Sequence, residues 1–211
     1  MQASDLLFFL PFVLAFFLIW AYMKRGMRQQ QRLNQVWREF GDLRGLQEQP
    51  AKQGAIISFR GKNQNMPFAL ECVAMEGTPL QIGKLKMTRG DAIKIFSGMK
   101  IELGGLPKGL RVYRETTGSK LDKALGMQDL TTGDSRFDSS FIIKGSDPTA
   151  VLSYLTPGRR VALMMHADEL HGLELREEGL ILFQPDQIDS VEKLDRYFSQ
   201  LASLASVLLR S

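Results

Sequence analysis

Apolar positions along this chain fall into two regimes. From Leu6 to Met23 they form one block: LLFFLPFVLAFFLIWAYM carries no charge over 18 residues, and Lys24 and Arg25 follow at once. In hydrocarbon every backbone N–H and C=O must be satisfied within the segment, so this block predicts a membrane-spanning helix. At about 1.5 Å per residue it reaches roughly 27 Å, enough to cross. Beyond it, apolar residues recur at helix or strand spacing, as in a folded body.

Residues 24–48 place Leu33, Val36, Trp37 and Phe40 at helical spacing, which predicts an amphipathic stalk. Its apolar stripe either lies on lipid or a partner, or packs on its own domain. Gly41, Gly45 and Pro50 then punctuate a linker. The organisation predicted is an anchor over 1–23, a basic stalk and linker over 24–52, and one body over 53–211.

The body opens with strands. Ala55–Arg60 and Pro67–Ala74 flank a polar GKNQN turn and predict a hairpin. Leu80–Thr88 alternates, and Met99–Leu103 and Leu110–Glu115 flank the turn signal GGLPKG. Ser119–Leu125 reads as a short helix and Phe137–Lys144 as a strand. Asp147–Pro148 and Thr156–Pro157 each pair an N-cap with proline at the first helical position, so each opens a helix. Gly172–Arg176 and Leu180–Phe183 predict a hairpin. Asp189 to Glu192 resembles a capping box ahead of a helix with Val191, Leu194, Phe198, Leu201, Leu204 and Leu208 on one stripe. The fold class expected is α+β: an N-terminal transmembrane helix, then a mainly antiparallel sheet with helices on one face and a long C-terminal helix.

Charge orients the anchor. Lys24, Arg25, Arg28 and Arg32 follow the apolar block, and only Asp5 precedes it. Basic flanks stay cytoplasmic, so the N-terminus is expected outside and the body inside. A body exported by its anchor is the competing topology. A cleaved secretory signal would need a basic n-region and a small-x-small cleavage site. MQASD has no Lys or Arg, and Trp20 and Tyr22 suit the aromatic belt at the interface instead. Residues 24–52 hold seven Lys/Arg against three acids, which equals the chain's net +4. The positive charge is therefore juxtamembrane, suited to anionic headgroups. It argues against nucleic acid, which requires a basic face on the folded domain. A lone cysteine, Cys72, excludes an internal disulfide; alternating inward beside Leu70, it reads as a small buried hydrophobe.

The segment 127–161 reads MQDLTTGDSRFDSSFIIKGSDPTAVLSYLTPGRRV. It resembles a group of bacterial membrane-anchored proteins of unknown function that share a TGD-x-x-FD-x-x-F-x-(I/V)-K-G-x-D-P core followed by LTP. Matching positions are Thr132, Gly133, Asp134, Phe137, Asp138, Phe141, Ile143, Lys144, Gly145, Asp147, Pro148 and Leu155–Pro157. The resemblance implies bacterial origin and membrane anchorage. It supplies no catalytic residue.

Candidate chemistry is sparse. Read as a strand, Phe137–Lys144 puts Asp138, Ser140 and Lys144 on one face, a possible Ser–Lys nucleophile pair. The plainer reading is a solvated strand face. Asp129, Asp134, Asp138 and Asp147 follow no EF-hand spacing. Asp134 suits an Asx-turn and Asp147 a cap. His166 and His171 are five apart, off one helical face, and Gly172 suggests a helix C-terminus there. Arg89-Gly90-Asp91 is too short to carry a reading, and no glycine-rich nucleotide motif is present. Arg159 and Arg160 sit at a helix start against the dipole, which predicts an answering group: Asp147, Glu177–Glu178 or an acidic partner.

No catalytic residue, metal site or cofactor is assigned. The function expected is a membrane-tethered protein-interaction domain, with Asp134, Asp138, Ser140, Lys144, Arg159 and Arg160 as its candidate surface. Trp20, Tyr22, Lys24, Arg25, Arg28 and Arg32 form the membrane interface. Its partners would be the bilayer, through residues 6–23, and a membrane-associated protein. The alternative is an enzyme or ligand-binding domain acting on a membrane-proximal small molecule or lipid. A lipid sensor using the basic stalk alone is a third, minor reading.

Overall fold

The computed structural model describes residues 3–50, 55–63, 65–75, 81–82, 85–86, 94–114 and 130–210, with backbone alone for 3–19, 22, 23, 75, 81, 82, 85, 86 and 94. The expected Ser119–Leu125 helix, Asp129 and the Arg89–Asp91 tripeptide lie outside these residues.

Local chemistry sets most of the elements. Helix α1 spans Ala3–Arg44, so the apolar block and the stalk are one helical backbone. Among the described residues no helix is long and apolar enough to cross a membrane; most side chains of Leu6–Met23 lie outside that set. At its C-terminus Gly45, at φ +64°, takes the left-handed conformation. Leu46 N–H donates to Gly41 O at 2.8 Å and Gly45 N–H to Asp42 O at 3.2 Å, a Schellman cap with Leu46 buried beneath it. The expected linker is therefore built structure. Strand β1 (Gln47–Glu48) follows and pairs with β2 (Ala55–Asn63), so the folded body begins well before residue 53. The stalk stripe packs on its own domain: Trp37 and Phe40 are fully buried.

The sheet is α+β in context and antiparallel in every ladder. With β3 (Met66–Met75), β6 (Lys94–Glu102), β7 (Arg111–Tyr113), β8 (Ile142–Lys144), β9 (Leu173–Arg176) and β10 (Gly179–Pro185), it runs β1-β2-β3-β6-β10-β9-β7-β8. Strands β4 (Gln81–Ile82) and β5 (Leu85–Lys86) pair separately. Both predicted hairpins form, β2–β3 and β9–β10. GGLPKG is not a hairpin turn: β6 pairs β3 and β10, while β7 pairs β9 and β8. Strand β6 also starts at Lys94, five residues before its predicted start at Met99.

Short helix α2 (Ser135–Asp138) precedes β8, and α3 (Pro148–Tyr154) and α4 (Pro157–Glu169) link β8 to β9. Asp147 and Thr156 cap α3 and α4 as their sequence predicts. Helix α5 (Val191–Leu209) is capped by Ser190, whose Oγ accepts from Lys193 N–H; Asp189 instead pairs with the Lys193 ammonium at 2.6 Å. The cap is therefore one residue later than expected.

Pleating puts Phe59, Leu70, Met99, Leu182 and Leu173 on one face of the sheet, in register across five strands. That face is the core, and α5 lies on it: Phe198 meets Phe68 edge-on at 4.7 Å and Phe40 of α1 at 5.8 Å. Trp37 Nε1–H donates to Ile188 O at 2.8 Å, fastening α1 to the β10–α5 junction. Ser97 secures the same junction from β6, donating to Asp186 O and accepting from Ile188 N–H.

Cys72 is fully buried in this face, as predicted. Burial pushes its thiol from the ordinary 9.0 up to about 12. The unfolded thiol ionises first, so its stability contribution is complete below pH 9.0 and declines as pH rises toward about 12. A maleimide at pH 8 is expected to leave native Cys72 unmodified and to label it readily in denaturant. Equal rates would contradict this burial.

Candidate functional site

Of the residues singled out in 130–160, Asp134, Asp138 and Arg160 come together, and every one but Lys144 has its side chain engaged with backbone. Gly133, at φ +80°, turns the chain so that Asp134 can cap α2, its Oδ1 accepting from Arg136 and Phe137 N–H at 3.2 Å. The predicted Asx-type role of Asp134 therefore holds. Asp138, at the end of the same short helix, reaches back. It accepts from Thr132 N–H at 3.0 Å, Thr132 Oγ1–H at 2.8 Å and Gly133 N–H at 3.0 Å.

The single strand face expected for Asp138, Ser140 and Lys144 does not exist. Phe137 and Phe141 are two strand periods apart, but they are also one helical turn apart. The chain takes the second option: Phe141 N–H donates to Phe137 O at 3.0 Å, and the two rings stack at 4.7 Å. Only Ile142–Lys144 is extended. Ser140 Oγ–H donates to Arg136 O at 2.9 Å. Lys144 is 4% exposed and sits opposite Arg111, itself opposite Arg176. The shared strand face that suggested a Ser–Lys pair is therefore absent, and the Ser140 hydroxyl proton is directed at Arg136 O.

Arg159 and Arg160 answer neither Asp147 nor Glu177–Glu178. They serve the carbonyl ends of other helices. Arg160 donates to Leu155 O at 2.8 Å and pairs with Asp134 at 3.3 Å. Arg159 donates to Tyr154 O and Arg210 O, both at 2.8 Å, and lies 4.2 Å from the Tyr154 ring centroid. Their position at the start of α4 conflicts with that helix's dipole but suits the C-termini of α3 and α5. His166 Nδ1 lies 2.9 Å from Ala162 O inside α4. Among the described residues no group of three metal-ligating side chains gathers.

Asp138→Ala is therefore expected to lower stability by about 1.5–3 kcal/mol, the scale of hydrogen bonds to a charged group. It should leave partner binding intact. Urea denaturation and faster amide exchange at Thr132 and Gly133 would read the effect; wild-type stability would refute the brace.

The membrane-interface set is less engaged. Arg25, Arg28 and Arg32 are exposed, and the Lys24 ammonium lies 4.6 Å from the centre of the Trp20 ring. The Tyr22 side chain lies outside the described residues.

A second site went unread in the sequence. On the face of the sheet opposite α5, outward positions align as Arg60–Ala69–Lys100–Ile181, then Glu71–Gly98–Phe183, then Val73–Phe96. Together they line a groove of about 460 Å³. Its floor holds the smallest residues, Ala69 and Gly98. Phe96, Ile181 and Phe183 form apolar walls, and Phe183 is 44% exposed. Charges stand on the rim in loose pairs, Arg60–Glu71 at 4.0 Å and Lys100–Glu102 at 3.6 Å. Phe96 also lines a cleft with Gln29 and Leu33, so the groove's apolar end adjoins α1. The available signal was Lys94–Glu102 itself, which carries apolar residues in both alternating sets: Phe96 outward, Met99 and Ile101 inward. Comparison of this chain with protein-family models, curated proteins and solved structures finds no match.

Proposed function

We propose that this protein is a single-pass, membrane-tethered interaction module of the bacterial inner membrane whose docking surface is the groove on the outer face of the sheet. One observation carries the reading. The core-facing side of the sheet is covered by α1 and α5, while the opposite side presents contiguous apolar residues around Phe183. Antiparallel sheets ordinarily solvate their second face with polar residues, and an apolar patch there marks a contact surface.

The tether rests on the uncharged block Leu6–Met23, on its basic flank, and on the unbroken helical backbone Ala3–Arg44. The basic flank supports a cytoplasmic body. The resemblance over 127–161 supports a bacterial envelope setting. Catalysis gains no support: the groove contains none of Asp134, Asp138, Ser140, Lys144, Arg159 and Arg160, and those side chains other than Lys144 brace turns and helix ends.

A photo-crosslinking amino acid at Phe183, in the full chain within its own membranes, is the direct test. A discrete adduct at Phe183, with none from the same probe at exposed Glu192 on α5, is the expected result. No adduct at Phe183 would overturn the docking surface. Release of the chain by alkaline carbonate would overturn the tether.

A further inference from the structure

We infer that the occupant of this groove is a second copy of the same chain, docked face to face about a two-fold axis. The inference rests on the interaction reading above and names its partner.

The patch is complementary to itself in shape and in charge. A two-fold contact requires each surface to carry both a projection and the hollow that receives it. Phe183 projects, 44% exposed, and the hollow lies beside it over Ala69. Gly98 stands near the middle of β6 under the edge of this Phe183 ring: a Cβ there would lie 3.7 Å from Glu71 O and 3.9 Å from Phe183 Cε1. With no side chain beneath it, the ring leans over β6 and leaves the hollow open on the Ala69 side.

The rim carries Arg60 and Lys100 against Glu71 and Glu102, two charges of each sign. A strongly acidic or basic partner gains no net attraction from such a rim. A second copy offers an opposite charge for each one. The pairs now formed within one face are long, at 4.0 and 3.6 Å, and partly exposed, so they can re-pair across an interface.

Anchor geometry permits the arrangement. Helix α1 is fastened on the core side through Trp37 and Phe40, and its Gln29 and Leu33 border only the Phe96 end of the groove. Two bodies joined about an axis near Phe183 and Ala69, away from the Phe96 end, therefore keep both anchor helices at the margin of the contact. Tethering also confines the copies to one surface and raises their effective concentration, so a modest patch suffices.

The test uses the full-length chain with C-terminal donor and acceptor fluorophores, in vesicles of phosphatidylethanolamine and phosphatidylglycerol at high lipid-to-protein ratio. Wild-type copies are expected to show energy transfer above the random level. Phe183→Asp should weaken it about tenfold or more. Two charge-reversed chains decide the face: one carries Arg60→Glu and Lys100→Glu, the other Glu71→Lys and Glu102→Lys. Each alone should lose transfer, and their mixture should recover it, because like charges repel within a type and opposite charges attract between types. Recovery in the mixture also shows that both variants are folded.

Wild-type transfer that survives Phe183→Asp and both reversals would overturn the assignment of this face. No transfer from wild type, with a different protein crosslinked at Phe183, would overturn the second copy and leave the interaction reading standing. No transfer and no adduct of any kind would overturn both.

Discussion

Replacing Trp37 with alanine is expected to cost about 3–5 kcal/mol, a large share of a domain's stability. Trp37 is fully buried between α1 and the body, and its indole N–H holds Ile188 O at 2.8 Å. Alanine leaves a cavity and strands that carbonyl. Phenylalanine retains most of the volume and loses only the donor, so Trp37→Phe should cost about 1–3 kcal/mol. The ordering follows from treating α1 as part of the core. Urea denaturation of the full chain in detergent, followed by circular dichroism, measures it. If both variants denature with wild type, α1 is no part of the core and the fold described above is wrong at its first element.

The second large effect is expected at Gly179, where β10 begins. This glycine has φ +135°, a conformation other residues rarely adopt. A Cβ there would stand 2.0 Å from Ile101 O and 2.9 Å from Glu102 Cα. Both obstacles are backbone of β6, so no rotamer change relieves them. Gly179→Ala should cost about 3 kcal/mol or more. Because the β6–β10 pair carries Gly98 opposite Phe183, the groove should be lost with it. Gly104→Ala is the control: a Cβ there meets nothing within 4 Å, and its cost should stay within about 0.5 kcal/mol. Equal effects at the two positions would refute the β6–β10 account.

What the sequence made legible was what neighbouring residues decide among themselves. Asp147–Pro148 and Thr156–Pro157 announce their helices because a cap and a proline act within one turn. The stripe on α5 was equally plain, since its period is set by one helix against one sheet. Phe137 to Lys144 failed because its spacing satisfies both periods. The hydrogen bonds of Asp134 and Asp138 then favoured the turn. The order of the sheet was out of reach of pattern for a different reason: nothing local distinguishes GGLPKG as a crossover from GGLPKG as a hairpin. The groove was hidden by both problems. Its residues come from β2, β3, β6 and β10, and its middle residue, Gly98, lies before Met99, where the strand was expected to begin.

The absence of a break in α1 between Met23 and Arg44 has a kinetic consequence. On the proposed topology, a flexible stalk would let the body tumble, and every encounter between copies would sample all mutual orientations. A helix capped at Gly45 and pinned at Trp37 removes tilt and leaves lateral diffusion and spin about the bilayer normal. Two copies then find one another by sliding and turning alone. Loosening that joint should slow their pairing even where the docking face itself is untouched.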